Sequence, residues 1–254
     1  MAAPQVNCGG SASQKGDREA MTEHEWTSSV DPGAMERFLR HRTSARKARL
    51  YACACCRHVW ELVEAARSRL TPEQLREAER LRKVPQAWTE SEEMDEARRR
   101  HAVQVAEAYA DGRATEEQLR LAWKEADEAA IPYGYDVYNM VVDATSPNLE
   151  LNGHIAATAA NDAPDPNVGP YCEYLRCIYG NPFRPVAFDP RSLPTAVVDL
   201  ARIIYDKRAF DRLPILAEAL MDAGCDDKGM LAHCRGPGPH VRGCWVVDFV
   251  LDKR

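Results

Sequence analysis

The sequence predicts a mostly α-helical protein, a compact multi-helix chain with a helical layer packed over a C-terminal helical bundle. Three observations carry that prediction. Leu, Ala, Glu and Arg are abundant while Ile, Thr and Phe are scarce, a bias toward helix over strand. Apolar residues recur at i, i+3 and i+4 along several segments. Helix-start signals punctuate the chain, each a Ser, Thr or Asp followed at once by Pro or shortly by Gln or Glu. A chain of 254 residues buries about 70–75% of its unfolded surface, so its stability requires neither disulfides nor metal.

Residues 1–20 are rich in Gly, Ser and Gln without apolar periodicity and read as a disordered extension. Met21 opens a more regular stretch, MTEHEW, and is an alternative start. From there to residue 162 the chain reads as an N-terminal helical region. Asp31-Pro32 is an N-cap with proline at the first helical position, predicting a short helix through Met35, Phe38 and Leu39. Thr43 or Ser44 then caps a long helix, with Tyr51, Cys55, Val59, Leu62, Val63, Ala66 and Leu70 along one apolar face. Thr71 and Thr115 cap two further helices, and a third spans Ser91 to Tyr109; all three are highly charged and predict an exposed layer. Residues 137–143 fit a helix better than a strand. Residues 163–170, APDPNVGP, read as a Pro-rich connector into a C-terminal helical region, 171–254. There, helices are expected over Tyr171–Ile178, Leu193–Tyr205, Leu213–Ala223, Asp226–Arg235 and Val241–Leu251.

A net charge of −6 and a pI near 5.7 argue against general nucleic-acid binding. One basic run, Arg37 to Arg49, places six Arg or Lys in thirteen residues, and its ordinary reading is a solvated helix face. The first twenty residues lack the apolar core of a secretory signal, and no stretch approaches the roughly 20 apolar residues of a membrane span. Nine cysteines, an odd number with Cys53, Cys55 and Cys56 crowded together, fit reduced thiols in a cytoplasm better than a disulfide framework.

Three separated stretches carry a resemblance: RLYACACCRHVWEL, IYGNPFRPVAFDP, and AFDRLPILAEALMDAGCD with LAHCRGPGPHVRGCWVVDFVL beyond it. Together they resemble a large paralogous family of bacterial proteins of the planctomycete type, over nearly the whole chain from Trp26. The resemblance implies no activity, cofactor or catalytic residue.

Candidate chemistry concentrates near the C-terminus. Cys225, His233, Cys234, His240 and Cys244 include an i, i+4 pair, His240 and Cys244, placed by the periodicity on one helix. Two ligands from that pair and two from upstream suit tetrahedral zinc. Against this, no CxxC knuckle is present, and buried free cysteine commonly acts as a small hydrophobe. Cys53 and Cys56 have CxxC spacing beside His58, yet lie inside a strong helical pattern, which favours packing over redox or metal chemistry. A single site uniting this cluster with the C-terminal cysteines is a further expectation. Asp248, inside CWVVDFVL, needs a partner, for which Arg208, Arg212 or Arg242 are the candidates. No GxSxG, HExxH or phosphate loop occurs, and the prolines of GPGP remove backbone donors.

These readings favour a non-enzymatic interaction or regulatory module whose partner is another protein rather than nucleic acid or membrane. Two alternatives stand beside it: a metal-dependent or thiol enzyme using the Cys/His groups of 225–244, and a zinc-stabilised structural domain.

Overall fold

The computed structural model describes residues 20–80, 90–128, 137–146, 149, 151, 155 and 168–253. Among them every regular element is helical. The helices are α1 (Glu23–Ser28), α2 (Pro32–Leu39), α3 (Ala45–Ser68), α4 (Pro72–Arg80), α5 (Glu90–Ala110), α6 (Glu116–Glu128) and α7 (Val137–Thr145), then α8 (Gly169–Tyr179), α9 (Thr195–Lys207), α10 (Leu213–Asp222), α11 (Lys228–Arg235) and α12 (Trp245–Val250). The expected disorder of 1–20 and most of the Pro-rich connector lie outside the described residues. The connector's last two residues, Gly169 and Pro170, form the first turn of α8, where proline's missing N–H costs nothing.

Helix starts follow the cap chemistry. The Asp31 carboxylate accepts from the Ala34 N–H, and the Ser44 hydroxyl, not Thr43, accepts from Lys47 at the head of α3. Thr71 with Gln74 and Thr115 with Gln118 form reciprocal capping boxes. The sequence reading passed over α1, which has its own box between Thr22 and Glu25. Trp26 on this short helix is buried and donates its indole N–H to the Gly180 carbonyl at the end of α8 (2.9 Å).

The long helix α3 is central rather than one-faced. Leu50 through Cys56 are all buried, because α5, α7 and α8 pack around it. Helices α5 and α6 form the amphipathic outer layer expected over the core. They bury Ala102, Val103, Ala106, Leu119, Ala122 and Ala126; their small alanines permit close approach, and their charged side chains lie on the other face except Glu96, Arg99 and Glu107, which are buried. These elements and α1, α2 and α8 share one apolar cluster. A second cluster joins α9 to α12 with Cys177 of α8. Helix α8 therefore belongs to both.

The basic run at 37–49 is partly internal. Arg49 is buried and donates to the Ala144 carbonyl (2.7 Å), and Arg46 enters an ion-pair network described below. Two of the six cations are thus withdrawn from the solvated face expected of them.

The last helix is shorter than its apolar run. It starts at Trp245, with Cys244 as the N-cap residue, because Gly243 lies at φ +90. A Cβ there would come within 2.8 Å of the Leu50 side chain, so glycine is what lets this turn press against α3. His240 consequently lies in the loop and not on the same helix as Cys244.

Candidate metal centre

Three segments supply the site. Helix α8 brings Cys177 near its C-terminus, α11 brings His233 in its last turn, and the loop 236–244 brings His240 and Cys244. The loop reaches back by a sharp turn at Gly238, whose φ of +82 suits glycine. A Cβ at this position would stand 2.9 Å from the His240 backbone nitrogen and 3.0 Å from its ring.

The ligand-type atoms of Cys177, His233, His240 and Cys244 all lie within 4.8 Å of one another. His233 Nε2 stands 3.2 Å from Cys244 Sγ, and His240 Nδ1 stands 3.9 Å from Cys177 Sγ. With Zn–S near 2.3 Å and Zn–N near 2.05 Å, a regular tetrahedron has ligand–ligand edges of about 3.3–3.8 Å. The four groups are thus within a short contraction of that geometry. Both sulfurs are buried and both imidazoles are half-buried.

The surrounding contacts orient the donors. His240 Nε2–H donates to the Gly236 carbonyl at 3.3 Å, which leaves Nδ1 as the bare nitrogen facing the cluster. The Val241 N–H donates to Cys177 Sγ at 3.4 Å, an interaction that favours a thiolate. The His233 ring meets His240 edge-on at 4.8 Å between centroids and is tilted against Trp245. Burial works against charge on both sulfurs. Hydrogen bonds from Cys177, His233 and His240 nevertheless hold the Cys244 thiol well below its ordinary value. Burial and the neighbouring Cys244 push Cys177 up. Two thiols and two imidazoles are donors of the kind that hold a soft or borderline cation.

Cys177 carried no sequence signal. It lies on an apolar helical face beside Tyr174 and Ile178, and its imidazole neighbour His240 is 63 residues away. Cys225 and Cys234 are not brought to the cluster. The Cys225 thiol faces Met230 Sδ at 3.7 Å, and Cys234 is wholly buried in the second apolar cluster, one helix position past His233 and so turned away from it. The expected union with the N-terminal cysteines does not occur either. Cys53, Cys55 and Cys56 are buried within α3, and burial raises all three thiols. His58 packs edge-on against the rings of Tyr171 and Tyr174.

Asp248 pairs with an arginine outside the expected three. Arg46 of α3 grips it with two nitrogens at 2.6 and 2.9 Å, because the first turn of α12 packs toward the start of α3. Arg242 instead binds Asp111 at 2.9 Å, and Arg208 binds Glu107. Asp111, whose side chain is buried, also receives Arg46, Arg113, Lys253 and the Tyr205 hydroxyl. Through Asp248 this network adjoins the Cys/His cluster, since Asp248 raises the Cys177 thiol and is itself raised by Cys244. Sequence reasoning missed Asp111 because its DG dipeptide reads as a helix stop.

Among the described residues no helix is long and apolar enough to cross a membrane. Comparison with family models, with curated proteins and with solved structures returns no match, so the chemistry of this chain is argued from its own geometry.

Proposed function

We propose that this protein is a zinc-stabilised helical domain in which Cys177, His233, His240 and Cys244 hold one structural Zn²⁺. The observation that carries the proposal is the convergence of two thiols and two imidazoles from three separate segments within 4.8 Å. Two thiolates balance the ion's charge, and four protein donors fill its tetrahedral shell, the hallmark of structural rather than catalytic zinc. The ion would clamp the end of α8 to the α11–α12 loop, joining the helix shared by both apolar clusters to the C-terminal bundle. The His233–Cys244 contact also has the form of a thiolate–imidazole pair. A nucleophile needs access, however, and Cys244 has no exposed surface. A structural role leaves room for the interaction module favoured by the lack of catalytic motifs, with the zinc domain as its scaffold.

Elemental analysis of the purified full-length chain tests the reading. One equivalent of zinc is expected, lost in Cys177→Ser and in His233→Ala. Metal-free protein that also fails to take up zinc under reducing conditions would overturn it.

A further inference from the structure

Beyond the metal centre, the Asp111 network has unequal charge. Six cationic side chains, Arg46, Arg57, Arg113, Arg208, Arg242 and Lys253, share three carboxylates, Glu107, Asp111 and Asp248, among the described residues. Glu107, Asp111 and Asp248 are each nearly inaccessible, and Arg242 has 9% of its side chain exposed. The cations in excess are the more exposed ones, Arg57, Arg113, Arg208 and Lys253, so the network presents positive charge toward solvent. The network opens to solvent at a cavity of about 300 Å³ lined by Asp111, Arg113, Arg202, Tyr205, Asp206, Leu251 and Lys253.

We propose that this cavity binds a phosphate group, held by Arg113, Arg202 and Lys253. The three head groups come from separate segments: the α5–α6 turn, α9 and the C-terminal tail. Each has at least a quarter of its side chain exposed; Arg113 and Lys253 are anchored on Asp111, and Arg202 pairs with Asp199 at 2.7 Å through one of its nitrogens. Tyr205, at the cavity wall, donates its hydroxyl to Asp111 while Arg242 and Lys253 lie over its ring. The Asp111 carboxylate is thereby engaged on both oxygens and poorly placed to repel an entering anion. Asp206 is the opposing acidic residue at the rim. A tetrahedral oxyanion suits the setting because its oxygens accept from several directions at once, guanidinium forks included. The volume is at the lower limit of small-molecule pockets, which fits inorganic phosphate or a small phosphate monoester.

The test is calorimetric titration of the full-length, zinc-loaded chain with inorganic phosphate and, separately, with glycerol phosphate, at pH 7.5 and low salt. Saturable binding that weakens with ionic strength is expected, with the tighter ligand of the two revealing a free or an esterified source. Lys253→Ala and Arg202→Ala should each weaken it about tenfold, the loss of one charge-assisted hydrogen bond. Asp206→Asn should tighten it. Arg120→Ala, on the exposed face of α6, should leave it unchanged. The three cavity substitutions lie on partly or well exposed side chains, and a melting curve for each establishes that the fold persists. No saturable heat, equal binding of chloride, or unchanged affinity in the Lys253 and Arg202 variants would overturn the proposal.

Discussion

Cys177→Ala separates a metal ligand from a packing residue, because the two roles predict different responses to zinc. The side chain is 1% exposed in the second apolar cluster. Removing one buried sulfur costs about 1 kcal/mol in transfer free energy. A residual cavity of roughly 20 Å³ at about 24 cal/mol per Å³ adds about 0.5 kcal/mol. Packing alone therefore predicts a loss of about 1.5 kcal/mol at any zinc concentration. If the wild-type chain binds zinc, buffering free zinc at a hundred times its Kd stabilises the folded state by about 2.7 kcal/mol. The variant, left with three donors, forfeits that increment. The gap between the two proteins then grows from about 1.5 kcal/mol with chelator to about 4 kcal/mol with zinc. For a chain of this size, at roughly 2–4 °C per kcal/mol, the melting temperatures should differ by about 3–6 °C in chelator and about 8–16 °C in zinc. Differential scanning calorimetry under reducing, zinc-buffered conditions measures both. A gap that does not change with zinc would refute the reasoning.

Three other expectations follow from the same structure. Cys225→Ala and Cys234→Ala should keep full zinc content and lose only about 1–1.5 kcal/mol, since both thiols fill the apolar cluster away from the donors; zinc analysis beside a melting curve checks this. Gly238→Ala should lower zinc affinity while the helical circular dichroism stays intact, because its Cβ would displace His240; competition against a chromophoric chelator reads the change. Asp111→Asn should destabilise by about 3–5 kcal/mol at neutral pH, the cost of leaving buried cations unpaired, and should flatten the acid limb of the stability–pH curve. The sign follows from linkage. Burial raises the Asp111 carboxyl pKa, but the Tyr205 hydroxyl with Arg242, Lys253 and Arg46 lowers it further, and Arg57 and Arg208 do the same for Glu107 against its burial. Both carboxyls bind protons more weakly folded than unfolded. Their stabilisation is complete above the unfolded values of about 3.9 and 4.3 and fades as pH falls through the lower folded ones. Urea titrations between pH 2 and 7 test it, and an acid limb as steep in Asp111→Asn as in the wild type would count against the network.

The helices themselves were legible because their determinants are local. Asp31, Ser44, Thr71 and Thr115 satisfy backbone donors within three residues of themselves, so a cap can be read wherever such a residue precedes a periodic run. His233, His240 and Cys244 were legible as candidates because rare donor types crowd a short stretch. The misplacement of His240 on a helix has an equally local cause: the apolar run from Val241 to Leu251 has helical periodicity, yet Gly243 turns the backbone before Cys244. Asp248 was recognised as needing a cation, since a carboxylate among Val246, Val247 and Val250 is buried wherever the helix packs. Which cation depended on packing.

By itself, then, the sequence determined the mostly helical class, the caps, and three of the four donors, His233, His240 and Cys244. Tertiary structure decided the rest. It enclosed Leu50–Cys56 of α3 on every side, turned Cys234 inward, drew Arg46 from the basic run to Asp248, and set Cys177 opposite His240 across 63 residues of chain. The physical reason is one of range. Backbone hydrogen bonds and caps are satisfied within a turn or two of helix, whereas a four-donor centre or a buried ion pair exists only where separate helices meet, and no spacing in the chain records that meeting.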